Sequence, residues 1–300
     1  FRQMKRRILN IAVFRKETLY QKMRALIIYL VISAVFIGCT PILSIDASTQ
    51  SVYHFSDTDK NISLLDISET FGTYDGSFVL YDNNLDSWKI YDLEEATKRI
   101  PPESTYKIYD ALLGLESGII TPEHSSMTWN GDAFPFPSWE ADQDLNSAMQ
   151  NSVNWYFQAI DSQLGINRVQ EFLNKIEYGN QTTSSNLDLY WSDFSLKISP
   201  LEQVTLLKKF NTNEFHLNFQ NVFSVKNAIK IASTPNGNFY GKTGTGRVNG
   251  QDINGWFIGY VETSDNSYYF ATNIQSDSNA TGKKAFEITS DILKKLHIWN

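Results

Sequence analysis

Residues 25–45, "ALIIYLVISAVFIGCTPILSI", run for 21 positions without a charged side chain. A helix of that length rises roughly 30 Å, the thickness of a bilayer's hydrocarbon core. No polar stripe interrupts the run, so it predicts a membrane-spanning helix rather than a buried core helix. Residues 46–70 are polar and show no clear period; they predict a linker, with order starting near Phe71. "GSFVLYD" (76–82) and "WKIYD" (88–92) alternate as a hairpin around the turn material "NNLDS". Pro101 and Pro102 then stop any preceding element, and Ile108, Leu112 and Leu115 recur at helical spacing until Gly118. Helical spacing returns at 143–165, 166–176, 200–210 and 222–232. Aromatic, β-rich runs follow in "GNFYGKTGTG", "NGWFIGYVET" and "SYYFATNIQ", and a helical segment ends the chain. This order predicts an α+β fold whose antiparallel sheet is built from both chain ends and flanked by helices.

Charge sharpens the division. Residues 1–45 hold eight basic side chains against one acidic one, and the remainder holds 18 basic against 32 acidic. With the basic side ahead of the apolar run, the positive-inside rule leaves residues 1–24 in the cytoplasm and exports residues 71–300. The acidic exported part implies no nucleic-acid partner. Cys39 is the one cysteine of the chain, so no disulfide supports the exported domain. "FIGC" (36–39) also reads as a lipoprotein cleavage site with Met23 as the start. Against that, Phe36 is bulky for its place and Arg24 alone would form the basic leader, so a retained helix is the preferred reading. The chain begins at Phe1, not at methionine, and reads as part of something longer.

The polar residues at the start of the predicted helix carry chemistry. Ser104 and Lys107 stand three apart and share a face. A serine hydroxyl needs a base to become a nucleophile, and a lysine serves as one when burial lowers its pKa. Alone, the spacing is more often that of a capping serine and a solvated lysine. Further along lie Ser152-Val153-Asn154, the loop Tyr178-Gly179-Asn180, and Lys242-Thr243-Gly244 with Thr245 on a predicted strand. Small residues on that strand leave room for a ligand, and Lys242, Thr243 and Thr245 offer a cation and hydroxyls to a carboxylate. Ser-x-x-Lys, Ser-x-Asn and Lys-Thr-Gly, in that order, form the acyl-transfer signature of penicillin-binding proteins and serine β-lactamases.

With "FVLYD", "PPESTYKIYDALLGLESG", "YGN", "SLKIS", "YGKTGTG", "NGWFIGY" and "YYFATNI", residues 71–296 resemble the class D β-lactamase fold. "MTWNG", "DLNSAMQNSVNWYF" and "MKRRILNIAVFRKE" bring the chain closer to the β-lactam-sensing signal transducers of the BlaR/MecR family. The resemblance implies a sensor domain acylated by penicillins and cephalosporins, following the last transmembrane helix of a longer protein. It also implies an upstream zinc metallopeptidase and a transcriptional repressor as partners. His54, His124, His216 and His297 form no His-Glu-x-x-His, so this chain shows no metal site of its own. Under the resemblance Ser104 is the acylated nucleophile, Lys107 the base and Ser152 the proton relay. Lys242, Thr243, Gly244 and Thr245 bind the drug, and the amides of Ser104 and Thr245 hold the oxyanion. Class D enzymes carbamylate the lysine with carbon dioxide, and a tryptophan N–H matching Trp191 steadies the carbamate. Asn154 stands where those hydrolases place valine, which favours free Lys107 and a persistent ester. Where those hydrolases bind the drug carboxylate with an arginine near the last helix, this chain offers Lys283 or Lys284, so that role rests mainly on Thr243 and Thr245. A membrane-anchored or lipoprotein class D β-lactamase remains the alternative, and a non-catalytic scaffold a third reading.

Overall fold

Residues 61–184 and 186–299 are described by the computed structural model of the chain. Within the stretch expected as linker, Ile62–Leu64 forms a strand, β1, and Ser68–Phe71 a helical turn, α1. β1 runs parallel to β3 (Ser87–Tyr91), held by Trp88 N–H donating to Asn61 O and Leu65 N–H to Ile90 O. The sheet is therefore mixed, not antiparallel throughout. A three-residue edge strand held by backbone bonds has too few positions to reveal a period.

The rest of the sheet follows the predicted order. β2 (Asp75–Asp82) pairs with β3 and with β7 (Ser267–Gln275), and β7 joins β6 (Gln251–Glu262) and β5 (Gly237–Val248) in an antiparallel meander. β4 (Lys230–Thr234) closes the second edge beside β5, giving the order β1-β3-β2-β7-β6-β5-β4. It takes up residues that the spacing had assigned to a helix.

Both faces of the sheet are buried. Phe78, Leu80, Phe257 and Phe270 pack against Ala285, Ile288 and Ile292 of the C-terminal helix Gly282–Lys295. Val79, Tyr81, Trp256, Ile258 and Tyr260 point the other way, into a larger helical lobe. In chain order the helices after α1 are α2 (Leu93–Thr97), α3 (Lys107–Glu116), α4 (Leu145–Gln150), α5 (Asn154–Leu164), α6 (Ile166–Ile176), α7 (Pro200–Asn211), α8 (Phe219–Ala228) and α9, the C-terminal helix just described. Burial on both faces explains why "FVLY" and "WFIGYV" read as continuous apolar runs.

α3 is the axis of the lobe. Every residue from Lys107 to Leu115 is buried, and a 3₁₀ turn, Glu103–Tyr106, leads into it. That turn is pinned from two sides. Trp256 Nε1 donates to Pro101 O at 2.8 Å from the sheet, and Gln203 Nε2 of α7 donates to Thr105 Oγ1 at 2.9 Å. Gly244 of β5 lets the strand press on the turn: a Cβ there would lie 3.0 Å from Glu103 Cβ and 3.1 Å from Pro102 O. Across the lobe, Gly179 sits at φ +50°, where a Cβ would lie 1.9 Å from Lys197 O. The Tyr178-Gly179-Asn180 loop thus closes on the segment before α7, with Asn180 N–H donating to Lys197 O at 2.9 Å.

Among the described residues no helix is long and apolar enough to cross a membrane; the span expected at 25–45 lies outside them.

The turn also buries a carboxyl. Glu103 is left-handed (φ +53°) and accepts a hydrogen bond from Asn254 Nδ2 at 3.2 Å. Burial pushes its pKa up to about 8, against the opposing pull of that bond and of Lys107. The folded protein therefore keeps a proton here that the unfolded chain releases above about pH 4.3. The stabilising contribution is complete below that pH and is lost as pH rises through about 8. Thermal melts from pH 4.5 to 8.5 are expected to show the wild-type Tm falling across this window, and Glu103→Gln, which keeps the shape and the acceptor, falling less.

Candidate active site

Ser104 is the one residue between 101 and 115 that is not buried. It opens onto a cleft of about 340 Å³ between β5 and the helical lobe. The walls are Thr243, Gly244, Thr245 and Arg247 on the strand, Asn151, Ser152 and Asn154 at the α4–α5 junction, and Phe136 and Trp139 beyond them.

Lys107 lies beneath Ser104 with no exposed surface. Its Nζ is 2.8 Å from Ser104 Oγ and 2.8 Å from Asn154 Oδ1. The Trp191 ring face covers it, with the centroid 4.1 Å from Nζ. Burial, and then the charge of Lys242, hold the Lys107 pKa well below the usual lysine value. A lysine so placed more readily takes the free-amine form, the one that accepts a proton.

Residues 143–165, with the spacing of one helix, form two. α4 stops at Gln150, Ser152 takes φ +55°, Val153 is extended, and α5 restarts at Asn154. Val153 N–H donates to Ala148 O at 2.9 Å, closing the α4 end, and the Val153 side chain is buried. A left-handed serine is an uncommon, strained conformer. Here it turns the hydroxyl toward β5, so that Lys242 Nζ donates to Ser152 Oγ at 3.0 Å and to Thr243 O at 3.0 Å. Burial lowers the Lys242 pKa to about 7.

The fold thus brings Ser104, Lys107, Ser152, Asn154, Trp191, Lys242, Thr243, Gly244 and Thr245 to one place. Three details differ from expectation. Trp191 meets Lys107 with its ring face, and its Nε1–H reaches no acceptor in bonding geometry. Thr245 Oγ1 already accepts from Gly282 N–H at 2.8 Å, which leaves the hydroxyl proton for a ligand. Neither Lys283 nor Lys284 lines the cleft, and Lys284 pairs with Glu287 at 3.4 Å. The cation at the mouth is Arg247, bound to Asp252 at 2.7 Å. Alternation along the strand from Thr243 and Thr245 points to Arg247, a signal the motif alone does not include.

Residues 76–294 match the penicillin binding protein transpeptidase domain. The chain is 43% identical to the regulatory protein BlaR1 of Bacillus licheniformis over 302 aligned residues, covering 100% of this chain and 50% of that protein. It therefore spans about half the length of that relative. The solved C-terminal domain of the Bacillus licheniformis BlaR penicillin-receptor superposes with a TM-score of 0.78 at 46% identity, over 80% of this chain and 98% of that one. The class D β-lactamase BAT-2 superposes with a TM-score of 0.74 at 36% identity, over 79% and 97%. With a serine, a dry lysine and an asparagine joined at 2.8 Å inside that fold, the chain belongs to the BlaR/MecR family of penicillin-receptor proteins.

Proposed function

We propose that this chain is the drug-receiving part of a membrane-bound β-lactam sensor, in which Ser104 is acylated and the ester persists. The observation that carries the reading is Lys107 Nζ, wholly buried and 2.8 Å from both Ser104 Oγ and Asn154 Oδ1. In the acylation step Ser104 Oγ attacks the lactam carbonyl carbon while neutral Lys107 takes its proton. The N–H groups of Ser104 and Thr245 receive the oxyanion. As the carbon–nitrogen bond breaks, Ser152 passes its hydroxyl proton to the departing nitrogen and is refilled by the Lys242 ammonium 3.0 Å away. The step ends with an ester, an ammonium at Lys107 and a neutral Lys242. Thr243, Thr245 and Arg247 line the cleft and would receive the drug's carboxylate.

Persistence follows from the loss of a base. Hydrolysis of the ester needs a group that activates water, typically worth about 10²–10⁴ in rate. The Lys107 amine donates to Asn154 Oδ1, a bond a carbamate would lose, so this neighbour suits the free amine and its ammonium. In the same reading, residues 25–45 anchor the domain outside the cell, and acylation is relayed to an upstream zinc peptidase and a transcriptional repressor.

The likeness to BAT-2 keeps one rival, a class D hydrolase. Labelling the full chain with a fluorescent penicillin separates the two. A label lasting hours and abolished by Ser104→Ala is expected; a label lost within minutes supports the hydrolase, and no label with wild type ends both readings.

Asn154→Val is expected to shorten the label's lifetime about tenfold or more and to raise a carbamate signal in carbon-13 NMR with labelled bicarbonate. The rate of acylation should also fall as pH rises through about 7, because Lys242 must carry a proton to refill Ser152. Stopped-flow labelling across pH 5.5–9 reads this alkaline limb.

A further inference from the structure

Behind Lys107, one helical turn along α3, lies a second group of ionisable side chains that the acylation chemistry does not use. Asp110 of α3 and Asp161 of α5 are both without exposed surface. Two carboxyls in such a place normally find donors. Here Tyr190 O–H donates to Asp161 Oδ1 at 3.3 Å and the Trp191 indole N–H lies near Asp161 without closing a bond, so both Asp110 oxygens and Asp161 Oδ2 are left without a donor in bonding geometry. What they face is each other. Two ionised carboxylates so placed would repel in a low-dielectric interior. One proton between them turns the contact into a charge-assisted hydrogen bond.

We propose that Asp110 and Asp161 share a single proton, and that the one negative charge left on this positioning pair holds Lys107 as an ammonium after acylation, keeping it from serving as a base. The other groups that face the pair are Tyr106 from the 3₁₀ turn, Tyr156 from α5, and Tyr190, Trp191 and Asp188 from the segment before α7. Lys107 is the cation among them, and each carboxylate favours its charged form. Burial raises both carboxyls far above the ordinary aspartate range, in keeping with a retained proton. Acylation transfers the Ser104 proton to Lys107 and leaves Lys242 neutral. The ammonium then loses its nearest cationic rival and keeps the pair's charge beneath it. The inference rests on the acylation reading above.

The test counts charges. Asp110→Asn or Asp161→Asn leaves one ionised carboxylate with an amide donor, so the pair stays singly negative; the double variant is neutral. Acylation of the full chain by fluorescent penicillin is followed from pH 4.5 to 8, where the acid limb reports the proton on Lys107. Both single variants are expected to keep the wild-type limb. The double variant should move it down by about one unit or more and shorten the label about tenfold or more.

A limb that shifts in either single variant means a doubly charged pair, and a limb unmoved in the double variant means a neutral one; both outcomes overturn the proposal. Wild-type protein that takes no label defeats the acylation reading itself. If the double variant fails to fold, infrared difference spectra decide. Wild type minus Asp161→Asn should show the loss of one buried carboxylic-acid carbonyl band at pH 7, and an absent band refutes the shared proton.

Discussion

The structure depends on keeping one lysine dry. α3 runs through the middle of the helical lobe with its first nine residues buried, so the amine of Lys107 has no water to solvate a charge. Desolvation of this kind favours the neutral form and makes a weak acid into a usable base. The surrounding features serve that burial. Trp256 and Gln203 fix the approach to the helix, Gly244 lets β5 close over the turn, and the Trp191 ring seals the far side. Ser104 is left half-exposed, against the Lys107 amine and facing the cleft.

The two lysines of the site divide the work by environment. Both are buried, both have lowered pKa values and each donates to a hydroxyl and a carbonyl oxygen, but Lys107 also feels the charge of Lys242. In the proposed acylation this difference would let one accept and the other deliver a proton, the usual outcome when neighbouring groups push each other's titration apart. Glu103 and the Asp110–Asp161 pair put acidic groups on the inner side of the same lysine, so the charge of the site is set from below as well as from the cleft.

Much of this was legible in the chain. Helical spacing after Pro102 placed Ser104 and Lys107 on one face, and alternation placed Lys242, Thr243 and Thr245 on a strand. The break at Ser152 was not legible, because residues 143–165 keep helical spacing across it; the interruption comes from tertiary demand on Ser152 and Asn154. β1 was hidden because three edge residues carry no pattern. Asp110 and Asp161 each read as ordinary polar positions on amphipathic helices. Their meeting depends on how α3 packs on α5, where Gly114 brings Ile160 close, and no local rule encodes it. Arg247 lies within reach of the alternation rule, whereas the class D resemblance points to Lys283 and Lys284 near the last helix.

The pairing of Arg247 with Asp252 at the mouth of the cleft bears on how an anion would arrive. Residues 46–300 carry 18 basic and 32 acidic side chains, so the far field of this part repels a carboxylate. A guanidinium already matched by a carboxylate at 2.7 Å projects a short-ranged dipole, not a beacon. Capture would then owe little to long-range guidance and would vary only weakly with ionic strength, selection being made after touching, by which ligand can share the fork of Arg247 with its resident acid.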